Sequence, residues 1–309
     1  MIKITAKTLA IASTVTLLTT ALGMYVWGEE HRLPALEVYV FSLKSGNSFF
    51  IRTPDDMRYI INGGANSEII RHITKILPFY SHRIDAVFAT DVDPKNVGGL
   101  ISIIERYGTE KVYLPSENIY TLGLDTQKND AYKVFIDTVT ENSIPVQQLG
   151  NSEELRLGNS GDVTLEILFP SAAKTSDSSI TDDLFEYSKA SPPQLIMRIV
   201  QRSKNTNKSI LLFGSASKKI QKAINTSKSD VLAISNGASE VQLDSGVIEK
   251  VAPRYVVYSK NDVSSKKSAS EQKMNPLFAN ILPKNRFNIK EGIVRIVINE
   301  GQIDIDQDN

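Results

Sequence analysis

The stretch Ala89–Leu100 reads A-T-D-V-D-P-K-N-V-G-G-L and determines how the rest of the chain is interpreted. It includes the end of a short apolar strand predicted over 86–90. It leads into a helix predicted over 96–107, whose apolar residues recur at helical spacing and would pack on a sheet. Between the strand and the helix stand the polar residues on which the functional interpretation depends, Asp91, Asp93, Lys95 and Asn96.

Strand and helix patterns alternate along the chain beyond Pro34. Three short strands over 36–43, 48–53 and 58–61, separated by turn-rich residues, predict an antiparallel meander. The other predicted strands are 111–114, 154–157, 163–169, 195–201, 209–213, 230–234, 255–258 and a hairpin of 293–299 with 302–305, and the other predicted helices are 66–79, 129–139, 218–226 and 245–251. Residues 171–193, rich in Ser, Asp, Lys and Pro, predict a long loop. The whole pattern predicts an α/β fold of two packed sheets with helices outside.

The composition excludes several kinds of chemistry. The chain has no Cys, which rules out thiol catalysis, disulfides and Cys-based metal sites. It has three His, at positions 31, 72 and 82. Lys plus Arg and Asp plus Glu both number 35, so the net charge of zero argues against strong long-range attraction to nucleic acid or anionic membrane.

The N-terminus departs from this soluble composition. The uncharged stretch 8–27 is long enough to span a bilayer as a helix, although its Thr and Ser lower its hydrophobicity. Because lysines lie in residues 1–7, the positive-inside rule predicts that this N-terminus is cytoplasmic. Residues 8–27 are then a signal anchor, residues 28–35 a linker, and the large domain that follows is extracytoplasmic. A cleaved signal peptide is the alternative, because Thr19-Thr20-Ala21 is an acceptable cleavage site.

Four other stretches are considered together with Ala89–Leu100. They are Phe41–Ser48 (F-S-L-K-S-G-N-S), Ile61–Gly64 (I-N-G-G), Leu211–Ala216 (L-L-F-G-S-A) and Ile234–Ser239 (I-S-N-G-A-S). In order and spacing the five stretches resemble the motifs of the metallo-β-lactamase-fold family, whose metal signature has the form T-H-x-H-x-D-H-x-G-G. More narrowly, they resemble the extracellular C-terminal domain of the competence DNA-uptake protein ComEC.

This resemblance covers nearly all of residues 36–306 and implies an αββα sandwich there. It implies that four glycines keep the structural turns of the motifs, namely Gly63, Gly64, Gly98 and Gly99. It also identifies the vestigial active-site positions, which are Asn62, Asp91, Asp93, Lys95, Asn96, Ser215 and Asn236.

The side chains at the family's metal positions form a poor ligand set. Where the family carries aspartate, this chain has Ser42, Asn47 and Asn62, and no His stands at a ligand position. Because Zn²⁺ or Mn²⁺ needs several anionic or imidazole ligands, we expect no metal and no other cofactor. One hypothesis is that the Lys95 amine fills the metal position and pairs with Asp91, Asp93 or both. The alternative is that it points to water at the start of a helix.

Three functions follow as expectations. The first is a membrane-anchored pseudo-hydrolase that acts by binding or assembly, with a role in DNA uptake suggested by the resemblance. The second is a hydrolase of phosphodiesters that holds Mg²⁺ or Mn²⁺ through Asp91 and Asp93. The third is DNA binding through basic runs, although interspersed lysines are usually solvated surface. The lysines of the basic runs are Lys204, Lys208, Lys218, Lys219, Lys222, Lys260, Lys266 and Lys267.

Overall fold

The computed structural model describes residues 13–24, 34–115, 130–150, 153–169, 195–204, 206–213, 221–222, 224, 226–234, 244–259, 278–289 and 292–308. The chain divides into two compact units, Met1–Pro34 and Ala35–Asn309. In the first unit a helix covers residues 13–24, and its side chains are exposed. In the described part of the chain no helix has both the length and the apolar character needed to cross a membrane. The predicted anchor over 8–27 extends past the described helix at both ends, and the predicted loop over 171–193 lies outside the described residues.

The second unit is built from strands and helices in alternation. The described strands are β1 (Leu36–Ser42), β2 (Phe49–Arg52), β3 (Arg58–Ile61), β4 (Arg83–Phe88), β5 (Gly108–Pro115), β6 (Val146–Leu149), β7 (Glu154–Leu157), β8 (Val163–Phe169), β9 (Ile196–Arg202), β10 (Asn207–Leu212), β11 (Val231–Ile234), β12 (Tyr255–Ser259), β13 (Arg286–Ile289), β14 (Gly292–Asn299) and β15 (Gln302–Asp308). The described helices are α1 (Glu68–Ile76), α2 (Pro94–Arg106), α3 (Asp130–Glu141) and α4 (Ser245–Val251), with a short 3-10 helix at Pro283–Asn285.

These strands form two sheets. The first has the order β15-β14-β1-β2-β3-β4-β5-β6 and the second the order β13-β12-β11-β10-β9-β8-β7. The meander predicted at the start of the domain is confirmed, because β1, β2 and β3 pair antiparallel. From β3 to β6 the pairing is parallel, and each crossover carries one of the helices α1, α2 and α3. Parallel pairing requires such crossovers.

Side-chain alternation divides the core into three layers. On β1, Val38 and Val40 point into a cluster that also contains residues of the second sheet, whereas Tyr39 and Phe41 point to a cluster shared with α1, α2 and α3. A third cluster packs α4 against the second sheet. The layer order is therefore helix, sheet, sheet, helix, because each sheet buries both of its faces. The αββα arrangement expected from the resemblance is observed.

Some boundaries differ from those predicted. The helix predicted over 66–79 ends at Ile76, and Leu77 is already extended with ψ of 137°. The residue before a proline is disfavoured in the helical region, and Pro78 follows directly. The strands β6 and β13 were not predicted, since V-Q-Q-L and R-F-N-I carry no clear alternation and both lie at sheet edges.

Candidate functional site

The candidate site lies where the parallel strands β3 and β4 end. Asn62 directly follows β3, and Thr90 and Asp91 follow β4. The carboxyl ends of parallel strands meet at one end of a sheet, which is where α/β folds commonly form their sites. Asp93 caps α2, because its Oδ1 accepts a hydrogen bond from the backbone N–H of Lys95 at 2.9 Å. An Asp cap followed by Pro at the first helical position is a strong helix start.

Asn62 connects the two strands. Its backbone is left-handed with φ of 58°, a conformation that Asn tolerates better than most residues. Its Oδ1 accepts from the backbone N–H of Thr90 at 2.9 Å. Its Nδ2 donates to Asn47 Oδ1 at 2.6 Å and to Thr90 Oγ1 at 2.8 Å. Asn62 therefore fixes the end of β4 and the loop that contains Asn47.

The hydrogen bonds continue from Asn47 to the start of α2. Asn47 Nδ2 donates to Asn96 Oδ1 at 3.1 Å, and Asn96 Nδ2 donates to Asp91 Oδ1 at 3.0 Å and Oδ2 at 2.8 Å. Asp91 Oδ1 also accepts from the backbone N–H of Asp93 at 3.0 Å. We call the connected side chains of Asn47, Asn62, Thr90, Asp91 and Asn96 the amide network. All five residues are 4% exposed or less.

The direction of the Asn96 amide follows from elementary electrostatics. If its amide were turned over, the carbonyl oxygen would lie against the buried Asp91 carboxylate and repel it. With Nδ2 toward Asp91, both carboxylate oxygens receive a hydrogen bond, and Asn96 Oδ1 is free to accept from Asn47. Buried polar groups need this kind of complete pairing, because an unmet donor or acceptor costs about 1–3 kcal/mol.

This arrangement does not fit a metal ion. Metals bind through lone pairs on oxygen, nitrogen or sulfur, whereas Asn96 presents an N–H donor to Asp91. Within the part of the chain that the structure describes, no three or more residues of His, Cys, Asp or Glu are grouped to hold a metal. Ser215 and Asn236, which the motifs assign to the same site, lie outside the described residues.

Of the two hypotheses for Lys95, the structure agrees with exposure to water and not with pairing to Asp91 or Asp93. Lys95 is exposed, and within the described part of the chain its amine forms no ion pair with either carboxylate. Asp91 instead receives the Asn96 amide, and Asp93 is engaged in capping α2. An ammonium group remains in water when a neutral donor already satisfies the buried carboxylate, because burial would remove its hydration.

The glycine pairs Gly63-Gly64 and Gly98-Gly99 allow close packing between backbone segments. Gly98 and Gly99 lie within α2 and not in the strand-to-helix turn where the motif comparison placed them. A Cβ on Gly99 would lie 1.9 Å from Gly63 O, and one on Gly63 would lie 2.3 Å from Leu100 N. Backbone bonds join the same segments, from Gly63 N to Asn96 O at 2.7 Å and from Gly99 N to Gly64 O at 2.9 Å. The loop after β3 therefore lies directly on α2.

Asn47 is the functional-site residue that sequence reasoning did not include among the site positions. It stands in Phe41–Ser48, and its departure from the family's aspartate was the available signal. Gly46 holds this loop against α2, because a Cβ on it would lie 1.6 Å from Lys95 O. Its φ of 82° is also left-handed. The contact between Asn47 and Asn96 joins residues that are distant in the chain, so it could not be identified from spacing.

The described histidines contact other parts of the molecule. His72 in α1 is 2% exposed and stacks on Phe41 with ring centroids 5.4 Å apart. Burial lowers the pKa of His72, and nearby Arg71 lowers it further. Neither ring nitrogen of His72 has a hydrogen-bond partner among the described residues. His82 is exposed, and His31 lies outside the described residues.

The basic residues considered for DNA binding are partly neutralised. Lys208 pairs with Asp230 at 3.1 Å, and Lys222 pairs with Asp244 at 3.6 Å. Lys204 is exposed, and the remaining lysines of those runs, Lys218, Lys219, Lys260, Lys266 and Lys267, lie outside the described residues. Of the three lysines of these runs that the structure describes, two thus have an acidic partner, which weakens their attraction for phosphates.

Comparison with known proteins gives similarity only at the level of structure. No family model matches the chain, and no curated protein matches it. One similar solved structure is the metallo-β-lactamase fold protein YhfI from Bacillus subtilis, with 10% identity and a TM-score of 0.47, covering 84% of this chain and 98% of that chain. A long form RNase Z from yeast has 9% identity and a TM-score of 0.47, covering 88% of this chain and 49% of that chain. A β-lactamase from Chitinophaga pinensis has 14% identity and a TM-score of 0.42, covering 66% and 76%.

Proposed function

We propose that this chain is a membrane-anchored, extracytoplasmic domain of the metallo-β-lactamase fold in which the amide network replaces the metal centre. In this proposal the protein is a pseudo-hydrolase that acts by binding a partner or by assembly. The observation that carries the proposal is the pair of hydrogen bonds from Asn96 Nδ2 to the two oxygens of Asp91. They occupy the carboxylate that the motif comparison assigns to a former metal-ligand position.

The energetic argument starts from what a metal would displace. A cation at Asp91 would require Asn96 Nδ2 to turn away, which would place it against the donating Asn47 Nδ2. Each buried group left without a partner costs about 1–3 kcal/mol. The replacement of aspartate by Asn47 and Asn62 further removes the negative charge that offsets the dehydration of a divalent ion. The site thus opposes metal binding both through its hydrogen bonds and through its reduced negative charge.

The retained packing supports a role that uses shape. The glycine contacts hold the loops 43–47 and 62–66 against α2. Around this end of the sheet, Lys44, Pro94 and Lys95 are exposed and available to a partner. The resemblance to ComEC makes DNA uptake the first process to test, with this chain as an accessory domain. That process rests on the resemblance, whereas the lost metal centre rests on the geometry of the network.

Metal content of the purified full-length protein tests the proposal. We expect elemental analysis to find no stoichiometric metal, and we expect Zn²⁺, Mn²⁺ and Mg²⁺ to leave the melting temperature unchanged. A genuine site would be visible, because a ligand at a hundred times its Kd stabilises the folded state by about 2.7 kcal/mol. Stoichiometric metal that is lost on replacing Asp91 and Asp93 with Ala would overturn the proposal. It would favour the carboxylate-ligated hydrolase, for which phosphodiester cleavage is the next assay.

A further inference from the structure

Two aromatic side chains stand exposed at the tip of a turn between α1 and β4. The backbone N–H of Ser81 donates to Pro78 O at 2.9 Å, which closes a β-turn with Phe79 and Tyr80 at its two corners. Phe79 is 71% exposed and Tyr80 is 44% exposed, and their rings meet edge to face with centroids 5.4 Å apart. Turn corners usually carry Gly, Pro, Asn or Asp. Folding alone therefore does not explain two large aromatic residues there.

The turn lies at a defined end of the first sheet. The backbone N–H of Gly108 donates to His82 O at 2.8 Å, so the turn lies beside the start of β5. The Arg58 guanidinium, at the start of β3, donates to Ser81 Oγ. Arg58 is paired in register with Arg52 of β2, and Arg52 with Glu37 of β1. The aromatic turn is thus at the sheet end where β1, β3, β4 and β5 begin.

The chain enters the domain at the same end. Ala35 directly precedes β1, and β1 is three strands from β4 in the sheet order. At a strand spacing of about 4.8 Å, the entry point and the start of β4 are roughly 14 Å apart. The linker expected over 28–35 spans at most roughly 30 Å when it is fully extended. If an anchor precedes this linker, the chain between the bilayer and this end of the domain is therefore short.

We propose that the turn 78–81 docks into the interfacial region of the lipid bilayer through Phe79 and Tyr80. This proposal rests on the membrane anchor of the proposed function. Aromatic side chains are favoured at the level of the lipid headgroups, where a ring is partly apolar and a phenol hydroxyl remains hydrated. The exposed Lys75 precedes the turn and suits the phosphate layer.

Docking of this turn has a consequence for the site. Asn62 and Asp91 follow the carboxyl ends of β3 and β4, which is the opposite end of the sheet from the turn. With the aromatic turn in the bilayer, the amide network and the exposed Lys95 face away from the membrane. The partner of the proposed function would then approach from the extracytoplasmic space and not from the lipid.

Site-specific fluorescence tests the docking, and the absence of Cys in the chain makes it direct. The full-length protein carrying His82→Cys is labelled with the fluorophore NBD and reconstituted in vesicles of equal parts phosphatidylcholine and phosphatidylglycerol. We expect a blue-shifted NBD emission that is quenched by lipids carrying a shallow doxyl group. A matched reporter at Lys44→Cys, on an exposed residue at the other end of β1, should retain an aqueous emission and resist that quenching.

Variants separate docking from anchoring. Phe79→Ser with Tyr80→Ser in the His82→Cys protein should abolish the blue shift and the quenching while the protein still floats with the vesicles. Both positions are exposed, so the thermal unfolding of this variant should match that of its parent. Co-flotation with an aqueous His82→Cys reporter in the parent protein would overturn the docking and leave the anchor standing. Failure of the full chain to float with vesicles would overturn the anchor and the docking together.

Discussion

Replacing Asn96 with aspartate is the sharpest test of the amide network. Asn96→Asp keeps the shape of the side chain and its acceptor for Asn47, but it puts a second carboxyl at the 2.8–3.0 Å contact with Asp91. Two charges at that distance repel by roughly 6 kcal/mol at an effective dielectric constant of about 20. The pair can avoid this repulsion by taking up one proton, which then bridges the two carboxyls.

Proton uptake limits the loss of folding stability in this variant and makes that loss depend on pH. An unfolded aspartate has a pKa of about 3.9, so holding one carboxyl protonated at pH 7 costs about 4 kcal/mol. The variant's carboxyl pair has its pKa raised in the folded state, so the pair does not weaken folding below about pH 3.9 and weakens it progressively as the pH rises. We expect the free energy of unfolding to fall relative to wild type by about 1.4 kcal/mol per pH unit, up to about 4 kcal/mol near pH 7.

Urea unfolding of the full chain at a series of pH values measures this difference. The matched control is Asn66→Asp, because Asn66 is exposed and its Oδ1 only accepts from the Glu68 backbone N–H at 2.9 Å. A carboxylate serves equally well there, near the start of α1, and we expect a change within about 0.5 kcal/mol at every pH. If Asn96→Asp were as stable as wild type near pH 7, the contact between Asn96 and Asp91 would be refuted, and with it the central observation of the proposed function.

Two further predictions concern packing and pH. Gly99→Ala should destabilise the fold by about 1–3 kcal/mol or more, because its Cβ would lie 1.9 Å from Gly63 O. Gly108→Ala should be tolerated, because the nearest atom to its Cβ would be 3.5 Å away. A comparison of the melting temperatures of the two variants checks this. Burial lowers the folded-state pKa of His72, so the unfolded chain binds a proton first as the pH falls through 6.5, and wild-type stability should decline below that pH. His72→Leu should lose that decline in urea unfolding, and an unchanged pH profile would contradict a neutral, buried imidazole.

Local patterns predicted most of the secondary structure. The strands over 154–157 and 163–169 and the helix over 245–251 agree with the observed β7, β8 and α4. Their residues carry both the period of the element and the turn chemistry at its ends, so no distant contact is needed to specify them. The edge strands β6 and β13 were missed because their pairing comes from neighbours already in place, and not from their own side chains.

The motifs predicted which polar residues lie near one another, and the structure shows how the described ones are bonded. The motif spacing located Asn62, Asp91 and Asn96, and the structure brings these three together in one network. The participation of Asn47 was not predicted, and of the two alternatives left open for Lys95 the structure agrees with exposure to water. Which donor bonds to the buried Asp91 carboxylate depends on distances between loops, and the order of residues along the chain does not give those distances. From the sequence alone, Lys95 and Asn96 are equally good donors.

The sequence by itself determined the elements, the absence of thiol chemistry and the positions at which charged ligands are missing. These follow from residue type and spacing, which act over one or two turns of chain. Only the tertiary structure decided that Asn96 and not Lys95 faces Asp91, and that Gly98 and Gly99 allow backbone contact within a helix. It also placed Phe79 and Tyr80 at the sheet end where the chain enters the domain. The physical reason is that these relations depend on long-range packing, where desolvation and steric contact choose among options that local sequence leaves equal.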